Sequence, residues 1–159
     1  MSGSRAGTAL ARREGKDKAE RRYLATPGGL VANDPLDIVQ IDHTKADVTV
    51  VDPVTRRPLG RPTLTVAIDV NTRMVLGFYL SLEPPSLLAV ALCLTHTVMD
   101  KSHWLTARGI STDWPTRGIP NAIYVDNGAE FHARAFQLAC SEYQIDLQYR
   151  PPGTPRYGG

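Results

Sequence analysis

Cysteine is scarce in this 159-residue chain. There are two, Cys93 and Cys140, each inside an apolar helical pattern and neither in a CxxC or CxxxC spacing. That excludes a disulfide framework and a cysteine-ligated zinc site, and points to two buried thiols in a reducing cytosol. Long hydrophobic runs are missing too. The most apolar stretch, Leu87–Met99, is too short to cross a bilayer and contains His96, and the N-terminus has no apolar signal segment, so a soluble, cytoplasmic protein is expected. Charge of one sign is not in large excess either: the net charge is +2. Residues 1–26 hold seven basic and three acidic side chains, and residues 27–159 hold eleven and thirteen. The larger part is mildly acidic, so phosphate attraction alone would not hold a nucleic acid there, and divalent cations are the natural offset for its carboxylates. No Ser/His/Asp or Cys/His arrangement is present at motif level.

What is present is an ordinary globular composition, 42% apolar and 21% charged, in a chain long enough to bury a core. Residues 1–35 have few large apolar side chains. They read as a charged lead-in, with a short solvated helix over 8–24 and a linker at Pro27-Gly28-Gly29 and Asp34-Pro35. The core is expected over 36–159. Leu36–His43 is a short apolar strand, and Asp47–Asp52 is β-branched. Thr63–Asp69 and Met74–Leu82 form a hairpin joined by Val70-Asn71-Thr72-Arg73.

Glu83-Pro84-Pro85-Ser86 starts a helix running to about Lys101, with Leu87, Ala91, Leu94 and Val98 on one apolar face and Leu88, Leu92, Thr95 and Met99 on the next, hence buried over a wide arc. Residues 102–119 read as an irregular or partly helical connection. Asn121–Asp126 is a strand, Glu130–Tyr143 an amphipathic helix, and Ile145–Tyr149 a last strand. The order β-β-β-α-β-α-β predicts an α/β fold, a mixed five-stranded sheet in which an antiparallel meander precedes β-α-β-α-β crossovers with flanking helices.

Two aspartates stand out in that order. Asp42 ends the apolar run Ile38-Val39-Gln40-Ile41, and Asp126 ends Ile123-Tyr124-Val125. Carboxylates set against buried strands are costly unless paired, and two on neighbouring strands repel unless protonated or bridged by a cation. Hard oxygen donors on rigid strands suit Mg²⁺ or Mn²⁺, at the strand ends where α/β sheets hold ligands. Asp69, followed by a tight turn, reads as hairpin chemistry and stays outside the site.

Three segments carry a family resemblance. Val39-Gln40-Ile41-Asp42-His43-Thr44 resembles the first-strand motif of the DDE-type, retroviral-integrase-like transposase core. Ile123-Tyr124-Val125-Asp126-Asn127-Gly128-Ala129-Glu130-Phe131 resembles its second motif. Pro151-Pro152-Gly153-Thr154-Pro155-Arg156-Tyr157-Gly158-Gly159 resembles the approach to its third. Within that family the wording around Asp42 and after Arg150 is most similar to the Mu-like and TnsB/TniA-like bacterial transposases that work with a partner ATPase.

The resemblance implies an RNase H-like core performing DNA transposition by metal-dependent phosphoryl transfer, 3′-end cleavage followed by strand transfer, with two Mg²⁺ or Mn²⁺ ions. Asp42 would bridge both ions, Asp126 would hold one, and a glutamate on the next helix, beyond Gly159, the other. Glu130 and Glu142 are set aside as lying on the preceding helix. The resemblance also implies transposon-end and target DNA as substrates, self-association, and upstream DNA-binding domains. By itself, a chain with two of the three carboxylates is expected to bind metal weakly and to be inactive.

Asn127, Arg150, Arg156 and Tyr157 are candidate DNA contacts, each also readable as loop-shaping or solvated. Arg56, Arg57 and Arg61 form a small basic cluster of the same ambiguity. His43, next to Asp42 but pointing to the other face of its strand, reads as structural. Trp104 and Trp114 read as packing residues rather than base-stacking platforms. Two other functions remain open at this level: an RNase H-like nuclease without strand transfer, and a non-catalytic module for assembly with DNA or protein.

Overall fold

Strand β1 (Ile38–Lys45) is the centre of a five-stranded sheet, and the rest of the chain is laid down around it. The computed structural model describes residues 30–151; the expected helix over 8–24, along with Arg156 and Tyr157, lies outside them. After β1 a small ribbon, β2 (Val50–Val51) with β3 (Pro58–Gly60), precedes β4 (Thr63–Asp69) and β5 (Val75–Ser81). Helix α1 (Leu87–Val98) and the short α2 (Ser102–Thr106) follow, then β6 (Ala122–Val125), α3 (Arg134–Glu142) and β7 (Asp146–Tyr149).

The sheet order is β5-β4-β1-β6-β7. The β1/β4 and β4/β5 pairs are antiparallel, and the β1/β6 and β6/β7 pairs are parallel. This is the expected meander followed by crossovers. The β-branched run at 47–52 supplies only two paired residues, with Gly60 and Pro58 as partners. Among the described residues no helix is long and apolar enough to cross a membrane.

The core is formed where β1, β4 and β6 meet the two longer helices. Val39, Ile41, Ala67, Ile123 and Val125 pack with Val90 and Cys93 of α1 and Phe136 and Cys140 of α3. Both cysteines are free and buried, and burial pushes the Cys93 thiol up to about 12 and the Cys140 thiol to about 11, so neither is a thiolate nucleophile at neutral pH.

Helix α1 departs from the wide apolar arc read from the sequence. It buries Ala89, Val90, Cys93 and Thr97, while Leu88, Leu92 and Met99 are exposed. The reason is close approach. A Cβ on Gly77 of β5 would lie 2.6 Å from both the Thr97 backbone nitrogen and its Oγ1, and 2.9 Å from the His96 carbonyl carbon. Small side chains therefore face the strand, and the leucines are turned outward.

Helix α3 also starts later than expected, at Arg134 rather than Glu130. The preceding residues are wound into tight turns, Phe131 N–H donating to Gly128 O (3.1 Å) and His132 N–H to Ala129 O (3.2 Å). The Phe131 carbonyl is taken by the Tyr149 hydroxyl (2.8 Å), and the Phe131 side chain is fully buried.

Two buried polar groups hold the meander and its return in register. Asp69 accepts from the Leu36 amide at Oδ1 (2.9 Å) and from the Thr72 amide at Oδ2 (2.7 Å). It closes the expected hairpin and also fixes the start of β1, where Leu36 sits at a left-handed φ of 67°. Lys101, 1% exposed, donates from Nζ to the carbonyls of Thr97 (3.3 Å), Met99 (3.0 Å) and Thr116 (2.7 Å). It satisfies the end of α1 and ties the 102–119 connection to it.

At the β5 edge Trp104 and Trp114 do pack, as expected, in a ring cluster with Phe78 and His96. Phe78 and Trp114 are stacked with centroids 6.0 Å apart, and His96 lies 5.2 Å from Trp104.

Two outcomes are expected. Gly77→Ala forces a Cβ into helix backbone, and an overpacking cost of about 1–3 kcal/mol is predicted, read as a lowered denaturation midpoint. His96 accepts the Phe78 amide at Nδ1 (3.2 Å), and burial, then the positive charge of Lys101, holds its pKa below the ordinary value of 6.5. The unfolded chain binds this proton more readily than the folded one, so stability falls as pH drops below about 6.5. Thermal melts between pH 7 and pH 5 should show the decline, and His96→Gln should flatten it.

Candidate active site

Of the two singled-out aspartates, Asp42 lies within β1 and Asp126 directly follows β6, its parallel neighbour in the sheet. The parallel register pairs Ile38 with Ala122, Val39 with Ile123 and Gln40 with Tyr124. The paired residues end there, and Asp42 and Asp126 each lie two residues further along their segments. Alternation along β1 puts Val39 and Ile41 into the helix-covered core, so Asp42, two residues from Gln40, projects on the opposite side. Asp42 is 47% exposed, its Oδ1 accepting the His43 amide (2.8 Å). Asp126 is half-buried, and its Oδ1 accepts the Gly128 amide (2.9 Å). Each carboxylate thus has one oxygen fixed by local backbone, an Asx-type anchoring that orients the other without neutralising its charge.

Arg150, just past β7, is brought to the same place. Its amide donates to Val125 O (2.7 Å), and its guanidinium nitrogen lies 4.0 Å from Asp42 Oδ2. The Arg150 side chain is 19% exposed, and its Nε is buried with no hydrogen-bond partner among the described residues. Asn127 is exposed at the turn and donates from Nδ2 to Arg150 O (2.7 Å), linking the loop after β6 to the end of β7. Arg61 pairs with Asp47 (3.1 Å) away from these groups, in a contact exposed to solvent.

On the core side of β1, His43 is held between Thr65, whose Oγ1 lies 2.8 Å from its Nδ1, and the Phe131 ring, 5.4 Å away centre to centre. Its Nε2 is 3.3 Å from Glu130 Oε1. Glu130 was placed on a helix by its apolar spacing to Phe131 and beyond. It lies instead in the turns ahead of α3, and its carboxylate folds back over Gly128. A spacing rule for helices gives no warning of this. The available signal was the glycine two residues earlier, with no side chain to keep the carboxylate away.

Tyr149 was likewise not singled out. It anchors the same turn through its hydroxyl and stacks on His132 with centroids 4.4 Å apart. Among the described residues no group of three or more His, Cys, Asp or Glu side chains converges as a metal-binding set.

Known proteins share both the sequence and the architecture. The family described as the TnsB C-terminal domain matches residues 40–159. The transposase of transposon Tn552 from Staphylococcus aureus is 30% identical over 125 residues, 79% of this chain and 24% of that protein. The Tn7 transposition protein TnsB from Escherichia coli is 32% identical over 139 residues, 85% of this chain and 20% of that protein. The chain therefore spans a quarter or less of the length of these relatives.

Among solved structures, a chain of the simian T-cell lymphotropic virus intasome, in complex with the PP2A regulatory subunit B56 gamma, superposes with a TM-score of 0.52 at 21% identity, over 81% of this chain and 37% of that one. That likeness shows the fold, which is RNase H-like. With the family match running from the first aspartate strand to Gly159, the chain belongs to the TnsB C-terminal domain family, whose relatives here are transposases.

Proposed function

We propose that residues 36–159 are part of the catalytic core of a bacterial DDE transposase, preceded by a lead-in over 1–35, and that Asp42 and Asp126 hold divalent metal for phosphoryl transfer on DNA. The observation that supports this reading is the parallel β1/β6 register, Val39 with Ile123 and Gln40 with Tyr124, from which Asp42 and Asp126 each follow two residues beyond the last pair. Their donor chemistry fits Mg²⁺ or Mn²⁺: hard oxygens on rigid strands, each carboxylate with one oxygen already oriented by a backbone amide. When bound, such ions offset the charge of the phosphoryl group and make a bound water or 3′-hydroxyl a stronger nucleophile.

The remaining site residues orient DNA. Arg150, whose terminal guanidinium nitrogen lies 4.0 Å from Asp42 Oδ2, is suited to a phosphate oxygen next to the reacting bond. Asn127 fixes the Arg150 backbone and borders the DNA path, and Arg156 and Tyr157 are further DNA contacts proposed from the sequence. The reaction is 3′-end cleavage at the transposon ends followed by strand transfer into target DNA, in the bacterial cytoplasm, by a self-associating transposase that works with an ATPase.

The test uses the full-length protein with transposon-end DNA and Mg²⁺ or Mn²⁺. Losing a partner that merely supports a ligand costs about 10–100-fold, so Asp42→Asn and Asp126→Asn should each reduce strand joining by more than about 100-fold while end binding persists. Joining at near wild-type rate by either variant rejects the metal assignment. Cleavage without any joining by the wild type would instead identify a nuclease.

A further inference from the structure

We infer that Glu130 is a positioning residue for the paired-aspartate site, acting through His43 and requiring glycine at 128. This inference rests on the metal reading of Asp42 and Asp126. Glu130 reaches two segments at once. Its Oε1 lies 3.3 Å from His43 Nε2, and His43 is the immediate neighbour of Asp42 on β1. The same oxygen lies 2.3 Å from where a Cβ on Gly128 would stand, and Asp126 Oδ1 lies 3.1 Å from that point. The Glu130 carboxylate therefore occupies the space over Gly128, between the Asp126 loop and β1.

Both members of the contact are largely buried, with side chains 8% exposed for His43 and 14% for Glu130. Desolvating a carboxylate there is unfavourable without a compensating interaction. Apart from Glu130, nothing among the described residues reaches the buried His43 Nε2, and the approach is off the line of a straight hydrogen bond. The other imidazole nitrogen is committed: Nδ1 and Thr65 Oγ1 are 2.8 Å apart. With the threonine hydroxyl donating to Nδ1, Nε2 carries the hydrogen and faces Glu130.

The glycine follows from the same geometry. Gly128 has an ordinary φ, so an alanine is permitted by the backbone there. What its Cβ would meet is the Glu130 carboxylate, 2.3 Å from Oε1 and 2.8 Å from Cδ. Gly128→Ala therefore displaces Glu130 first and, with Asp126 Oδ1 3.1 Å from the same point, also presses on Asp126, so the double variant with Glu130→Ala separates the two effects. The rest of the turn is held independently, through Tyr149 to the Phe131 carbonyl and through the buried Phe131 ring. Loss of the Glu130 contact leaves the loop folded but releases Asp126 from its lateral support.

The experiment measures strand joining by the full-length protein on transposon-end DNA in single-turnover conditions, with the Mn²⁺ concentration for half-maximal rate, end-DNA affinity and melting temperature recorded for each variant. Glu130→Ala is expected to lower the joining rate about 10–100-fold and to raise the half-maximal Mn²⁺ concentration, with end-DNA affinity unchanged. Glu130→Gln, which keeps the side chain's size and an oxygen facing His43 Nε2, recovers most of the rate. Gly128→Ala reproduces Glu130→Ala, and the double variant is no worse than Glu130→Ala alone.

A Glu130→Ala protein with wild-type rate and Mn²⁺ dependence overturns the inference, as does one whose only change is a lower melting temperature. Glu130→Gln as inactive as Asp126→Asn also overturns it, by making Glu130 a ligand. Should Glu130→Ala not fold, Glu130→Leu, which fills the space without a carboxylate, decides, and a wild-type Mn²⁺ dependence in that variant is the contrary result. Asp42→Asn and Asp126→Asn run alongside separate the two levels. If they join strands, the metal reading fails. If they are inactive while Glu130→Ala is not, only the positioning role falls.

Discussion

The arrangement depends on β1 being hydrogen-bonded on both sides in opposite senses, antiparallel to β4 and parallel to β6. A parallel neighbour requires the chain to leave the sheet and return, here through α1, α2 and the 107–121 connection, before β6 can be laid down. Because side chains alternate along a strand, a slip of one residue in the β1/β6 register would send Asp126 to the helix-covered side and Val125 out of the core. The apolar residues that fix the register, Val39 and Ile41 against Ile123 and Val125, are thus the same ones that fix where the carboxylates meet. Core packing and site geometry are one constraint here.

Much of this was legible in the sequence. The strand order, the two apolar strands ending in aspartate, the hairpin role of Asp69 and the burial of both cysteines all follow from pattern, because period-two alternation and turn chemistry are local properties. Three features were not legible, each for a reason that lies outside its own segment. Helix α1 turns Leu88, Leu92 and Met99 outward because Gly77, on a different element, draws its small-residue stripe inward. Helix α3 begins late because Tyr149, from the following strand, captures the Phe131 carbonyl. The β-branched run near Val50 does not join the main sheet, since its partners come from a short ribbon at Pro58–Gly60. Propensity reads one stretch of chain, and each of these outcomes was decided by a second one.

The site was legible to a similar depth. Asp42 and Asp126 are conspicuous because a charged residue ending an apolar strand is rare. Arg150 was nominated from its loop, but its approach to Asp42 depends on β7 pairing beside β6. The contact between His43 and Glu130 joins positions far apart in sequence, and neither side chain looked unusual alone. Polar contacts of that kind depend on tertiary register, which a single sequence specifies only through the core.

The buried amine of Lys101 has a consequence for how this architecture tolerates variation. It anchors Thr116 at one end of the long connection, while the Trp114 indole, donating to Val75 O (2.9 Å), pins the neighbouring turn to the edge strand. The segment between Gly109 and Asp113 is exposed and lies between fastened ends. Changes in its length or charge are thereby insulated from β6, so the surface of this face can diverge while the spacing of the two aspartates stays fixed.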